Sequence, residues 1–181
     1  WEDTRWPSPP PVTPGAPPPR HDPSAVVFDG MMYVYGGRSP QPLGDLWAYS
    51  FEANTWTQLE SSEGMAPRFG HSAVVSGESM YIYGGYVHEE AALSSEVWSY
   101  TFGTGVWTKI GPRVDNFMQG ADMSYIADPS DAIIFPALIP APRFSAVAVA
   151  GKSSAFYVLG GAGGEAMMGE DQDLWKFGIA Q

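Results

Sequence analysis

Three histidines, His21, His71 and His88, are the side chains best suited to ligate a metal or move a proton near neutral pH. Their spacing does not make a ligand set. His21 directly follows Arg20, His71 stands three residues after Arg68, and no histidine accompanies Arg143. The acidic run Glu170, Asp171 and Asp173 offers oxygens of the kind that hold a hard cation. Asp173, however, precedes Trp175 by two residues, as Asp45 precedes Trp47 and Glu96 precedes Trp98, which points to a structural role. Cysteine is absent, which removes disulfides, thiolate metal sites and cysteine nucleophiles together. No serine-nucleophile elbow, phosphate loop or His-Glu-x-x-His motif occurs. No catalytic residue, no metal ligand and no cofactor is therefore expected.

Charge narrows the class of partner. The chain has 181 residues with 9 basic and 20 acidic side chains, a formal net charge of −11. No Lys/Arg stripe exists to displace counterions from a phosphate backbone, so nucleic acid is not an expected partner. No apolar run approaches the roughly 20 residues of a membrane helix, so membrane insertion is not expected either. Trp1 stands where an initiator Met would, and a processed or excised segment is the expectation.

The elements that must position these residues come in repeats. Three segments align. Each opens on an arginine (Arg20, Arg68, Arg143) and runs through a small, β-branched stretch. An aromatic-aliphatic stretch then ends in a double glycine (Gly36-Gly37, Gly84-Gly85, Gly160-Gly161). An acid and a Trp-x-Tyr or Trp-x-Phe follow, and the first two copies add a second tryptophan, Trp56 or Trp107. The distance from Arg to the first glycine is 16, 16 and 17 residues. Turn signals at Asp29-Gly30, Glu52-Ala53-Asn54, Gly77-Glu78 and Gly103-Thr104-Gly105 separate the stretches. Four short antiparallel strands per unit, repeated, form a propeller blade.

This pattern resembles the kelch-repeat family over nearly the whole chain. The resemblance implies an all-β fold, a partial kelch-type β-propeller of about three four-stranded antiparallel blades. Within a single propeller region over 1–181, the expected divisions are the end of a preceding blade at 1–10, blades at 18–60 and 66–111, and a blade at 141–181 that lacks its fourth strand. Trp6 looks like a fourth strand of the preceding blade, and the proline-rich run after it like an inter-blade linker. Residues 113–138 are an inter-blade insertion, with a short helix from Asn116 to Ile126. Three blades are too few to close a ring of sheets about 10 Å apart, so further blades or a second copy of the chain are expected on the open faces, the latter as a homodimer. The tryptophans are expected to pack blade on blade, and the arginines to make structural hydrogen bonds or ion pairs.

The resemblance also implies what the chain does. Kelch domains mostly act as protein-binding platforms, which makes this a non-catalytic interaction module or scaffold within a larger protein or assembly. Two alternatives accompany it: an architectural subunit with no separate ligand, and a sugar-modifying enzyme of propeller type. Copper oxidases of related architecture need a cysteine-tyrosine crosslink, which the composition forbids, and no histidine here ends the Glu-x3-Asp-x3-His motif of the iron-dependent specifier proteins. The loops after the double glycines differ in every copy while the strands barely change, so they are the expected contact surface, together with the insertion. The residues singled out for partner binding are Arg38, Tyr86, His88 and Glu89, Phe117 and Tyr125, and Glu165 and Met167.

Overall fold

A computed structural model describes residues 15–87, 92–110, 117–118, 143–151, 155–163 and 174–178. Among them there is no helix, and the expected blades form as antiparallel sheets. The first contains β1 (Ser24–Phe28), β2 (Met31–Tyr35), β3 (Leu46–Ser50) and β4 (Thr55–Leu59), hydrogen-bonded in that order. The second repeats it with β5 (Ser72–Ser76), β6 (Ser79–Tyr83), β7 (Val97–Thr101) and β8 (Val106–Ile110). Register is matched between them: Val34 faces Trp47 as Ile82 faces Trp98, and Tyr49 faces Trp56 as Tyr100 faces Trp107. The Asp29-Gly30 turn has positive φ at both residues, the geometry that suits the twist of a tight hairpin.

The third sheet departs from expectation at its outer edge. Beyond β9 (Phe117–Met118) the chain supplies β10 (Val147–Ala150), β11 (Ala155–Leu159) and β12 (Leu174–Gly178), three strands as expected. The fourth position is filled by β9, which pairs Phe117 with Trp175 and Met118 with Leu174. The blade over 141–181 thus takes its outer strand from the insertion, and 117–118 are extended where a helix was expected. An unpaired outer edge on β12 would leave a row of backbone donors and acceptors open, and β9 satisfies it locally. The rest of the expected helix lies outside the described residues.

The blades pack through their faces. Tyr35 and Leu46 of the first meet Met80, Ile82, Trp98 and Tyr100 of the second. Val74, Tyr81, Tyr83 and Val97 on the other side of the second meet Phe156, Val158 and Phe177 of the third. Because side chains alternate along a strand, Met80 and Ile82 point one way and Tyr81 and Tyr83 the other. Both faces of β6 are consequently buried, which is why the run from Met80 to Tyr83 is apolar without a break. The far face of the third blade is open: Val147, paired with Leu159, and Val149 are each about half exposed or more.

Backbone hydrogen bonds tie the inner ends of the blades. The second glycine of the first two pairs donates to the arginine carbonyl of the next blade, Gly37 to Arg68 at 3.0 Å and Gly85 to Arg143 at 2.9 Å. A Cβ on Gly36 would stand 2.6 Å from the Arg68 carbonyl, and one on Gly84 2.7 Å from that of Arg143. Only glycine permits that approach, and at both positions φ is positive as well. Two residues after each arginine, Asp22, Gly70 and Ser145 all adopt positive φ, and the amides of Gly70 and Ser145 donate back to the carbonyls of Asp22 and Gly70.

Trp98 is 6% exposed at the centre of the first junction. Trp98→Ala is expected to destabilise the fold by about 3–5 kcal/mol in denaturant unfolding. A loss below about 1 kcal/mol would contradict this packing.

Candidate functional site

The recurring arginines are buried, and their charges are used inside the blade. Arg20 makes a two-pronged contact with Asp45, at 2.7 and 2.9 Å, and donates to the Gly36 carbonyl at 3.0 Å. Arg68, fully buried, donates to Glu96 at 2.8 Å and to the Gly84 carbonyl at 3.1 Å. Trp47 and Trp98 complete the nodes, each indole N–H donating to the acid two residues before it. Lys109 is ion-paired to Glu96 as well. Burial opposes ionisation of Glu96, but hydrogen bonds from Lys109, Trp98 and Arg68 outweigh it and hold the carboxyl down to about 2. Asp45 is likewise lowered, against its burial, by Arg20 and Trp47. The third arginine, Arg143, donates to the Gly160 carbonyl at 3.0 Å. These side chains are committed to structure.

The residues one step beyond them are not. His21, Phe69 and Phe144 each follow an arginine and pair across to the residue after a double glycine, Arg38, Tyr86 and Ala162 respectively. The Arg38 guanidinium lies over the Phe69 ring, 4.8 Å from its centroid, and Phe69 in turn contacts Tyr86 at 5.2 Å. Arg38 also pairs with Asp22 at 3.2 Å, both side chains about half exposed. Phe144 is 40% exposed and stands against Gly70, so the surface runs on to the third blade. A cation over an exposed ring is worth about 0.5–1 kcal/mol. It holds the guanidinium in place without removing it from solvent.

The structure brings two of the singled-out residues together, Arg38 and Tyr86, through a third that the sequence reading missed, Phe69. Phe144 was missed too. Their signal is the Arg-Phe pair repeated at 68–69 and 143–144. Phe117 is elsewhere, in the outermost strand of the third blade. His88, Glu89, Tyr125, Glu165 and Met167 lie outside the described residues.

His71 resembles half of a catalytic dyad, with its Nε2 2.7 Å from the Ser24 hydroxyl. Its environment does not suit that role. Burial, followed by the charge of Arg68, pushes the imidazole down to about 3, and both side chains are buried. A general base works near the operating pH and within reach of substrate. This imidazole joins β1 to the second blade and packs edge-on against Tyr35 at 5.3 Å. Among the described residues no group of three acidic or histidine side chains converges as a metal site would, and no helix is long and apolar enough to cross a membrane.

Comparison with known proteins gives concordant results. The model of the KLHDC2/KLHL20/DRC7 Kelch-repeats domain matches residues 2–135. Multiple epidermal growth factor-like domains protein 8 of Homo sapiens is 35% identical over 85 residues, covering 46% of this chain and 3% of that protein. Tip elongation aberrant protein 3 of Schizosaccharomyces pombe is 30% identical over 120 residues, covering 66% of this chain and 11% of the relative. The chain thus corresponds to a small part of the length of both.

The neutral, buried His71 gives stability a pH dependence of definite sign. As the pH falls below the ordinary imidazole value of 6.5, the unfolded chain takes up a proton there, while the folded chain does so only near 3. The contribution is complete above 6.5 and is lost progressively toward 3. Unfolding midpoints are expected to fall between about pH 7 and about pH 4, and part of that slope should disappear in His71→Gln. Parallel curves for the two proteins would show that His71 does not carry it.

Proposed function

The chain belongs to the kelch-repeat family, and from that premise we propose that it is a non-catalytic protein-interaction module whose contact surface is built on the loops after the double glycines. Protein binding is the usual role of this domain. The observation that carries the reading is the Arg38–Phe69–Tyr86 cluster, which spans two blades and is left accessible by a scaffold that buries the side chains of its repeated arginines. Arginine and aromatic side chains held by neighbours lose little freedom on binding, and they dominate the energetics of protein interfaces. His88, Glu89, Glu165 and Met167, on the same loops, extend the surface in this proposal, and the insertion that carries Phe117 and Tyr125 is a second contact region in it. The acidic balance of the chain favours a basic or neutral partner.

The test is alanine substitution at Arg38, Tyr86 and Met167, with affinity measured for a protein captured from native extract. Each change is expected to weaken binding by about tenfold or more while leaving the unfolding free energy within about 1 kcal/mol of the parent. Unchanged affinity in the triple variant would refute the assignment.

A second reading, an architectural subunit, is favoured by the open face of the third blade. Val147, Val149 and Leu159 present a half-exposed apolar sheet surface of the kind that the other blades bury against each other. We propose that this face supports self-association of the chain as a homodimer. Light scattering is expected to report a mass above 19.5 kDa. A monodisperse 19.5 kDa species with cooperative unfolding would overturn it.

A further inference from the structure

The opposite end of the blades carries a second surface of different chemistry. There the tight turns between β1 and β2 and between β3 and β4 meet, as do their counterparts in the second blade. The Phe51 amide donates to the Gly30 carbonyl at 3.3 Å, and the Phe102 amide donates to Glu78 at 3.1 Å. Each of the first two blades therefore sets a phenylalanine just past the end of its third strand beside the turn that carries an exposed acid, Asp29 or Glu78. Across the blade junction Phe28 and Phe102 are stacked, 4.1 Å apart and 6° from parallel, with Tyr33 4.6 Å from Phe102. Phe51 is 53% exposed against Tyr49.

Positive charge is unequally placed between the two ends of the first two blades. Arg20, Arg38, Arg68 and Arg143 all lie at the double-glycine end, and Lys109 is engaged there by Glu96. The turns over 28–30, 51–54, 77–78 and 102–105 contain Asp29, Glu52 and Glu78 and no lysine or arginine. All three acids are exposed, and none of them has an ion-pair partner among the described residues.

We propose that this turn face is a docking surface for a basic, extended peptide segment, whose arginines meet Asp29, Glu52 and Glu78 and one of which lies over the exposed Phe51 ring. A guanidinium is planar and weakly hydrated, so it can stack on a ring while its edge meets a carboxylate. The occupant is a protein segment because the same acids repel the phosphates of nucleic acids and of anionic lipid surfaces. This surface is separate from the loop end. It recognises positive charge, where the loop end presents an arginine.

The test uses the full chain and a fluorescein-labelled peptide of about ten residues alternating Arg and Leu, followed by anisotropy at about 0.15 M salt. Asp29→Asn with Glu78→Gln is expected to weaken binding about tenfold, and Asn tolerates the positive φ of position 29. The control Glu60→Gln with Glu63→Gln removes the same charge from exposed positions away from these turns and should change affinity by less than about twofold. Phe51→Leu, which keeps an apolar side chain at this exposed position but removes the ring face, should also weaken binding with the fold intact. Equal losses in the two charge variants would reduce the effect to net charge and overturn the proposal, as would unchanged affinity in Asp29→Asn with Glu78→Gln. Arg38→Ala should leave this binding unchanged, so the loop-end reading and this one fail separately.

Discussion

Arg68 does two things that cannot be separated. Its guanidinium, removed from water, is satisfied within its own blade by Glu96 and the Gly84 carbonyl. Its backbone carbonyl accepts the amide of Gly37 from the blade before. A buried cation left unpaired would cost several kcal/mol, so the node forms completely or the blade does not close. Once formed, it fixes where the carbonyl stands, and hence where the preceding blade must come. Arg143 repeats the arrangement toward Gly85, so blade order and spacing are handed along the chain by one residue type. The glycine pairs are the other half of the same constraint, because any side chain on Gly36 or Gly84 would collide with that carbonyl.

That coupling explains which parts of the molecule could be read from the sequence. Arg, Gly-Gly and acid-x-Trp recur because each is one component of a node, and a repeated node implies repeated strands in repeated register. Phe117 carries no such mark. Its strand pairing with Trp175 joins residues far apart in sequence, and a short apolar stretch fits a helix or an edge strand equally well until a neighbouring edge is known. Phe69 was hidden for a different reason. It lies beside an invariant feature of the repeat, and its importance comes from touching Arg38 and Tyr86 of two different loops, a contact made by packing. His71, unmatched in the other copies, could be read as irregular; that it is held neutral by burial beside Arg68 became evident only from its position.

The same node sorts charge through the fold. Every blade needs its arginine where the inner strand begins, which gathers positive charge at the double-glycine end and spends most of it internally. Arg38 is outside the node, and it is the arginine that reaches solvent over an aromatic ring. At the far end the turns need φ-tolerant and polar residues, and here they are acidic: Asp29, Glu52 and Glu78. In the first two blades the ends therefore differ in chemistry, one carrying the arginines and the other turns with exposed acids and no lysine or arginine.

Rigidity is what makes those ends useful. A loop residue that must be ordered on binding gives back part of the contact energy as lost entropy, whereas one already held by the scaffold does not. Phe69 is fixed by strand pairing to Tyr86, and Phe102 by a backbone hydrogen bond to Glu78 and stacking on Phe28. Both rings bridge neighbouring blades, so any change in blade spacing would separate Phe69 from Arg38 and Phe28 from Phe102 together. The two surfaces therefore share one dependence, the arginine node between the first and second blades. Weakening Arg68 or Glu96 would degrade both at once, although neither residue need touch a partner.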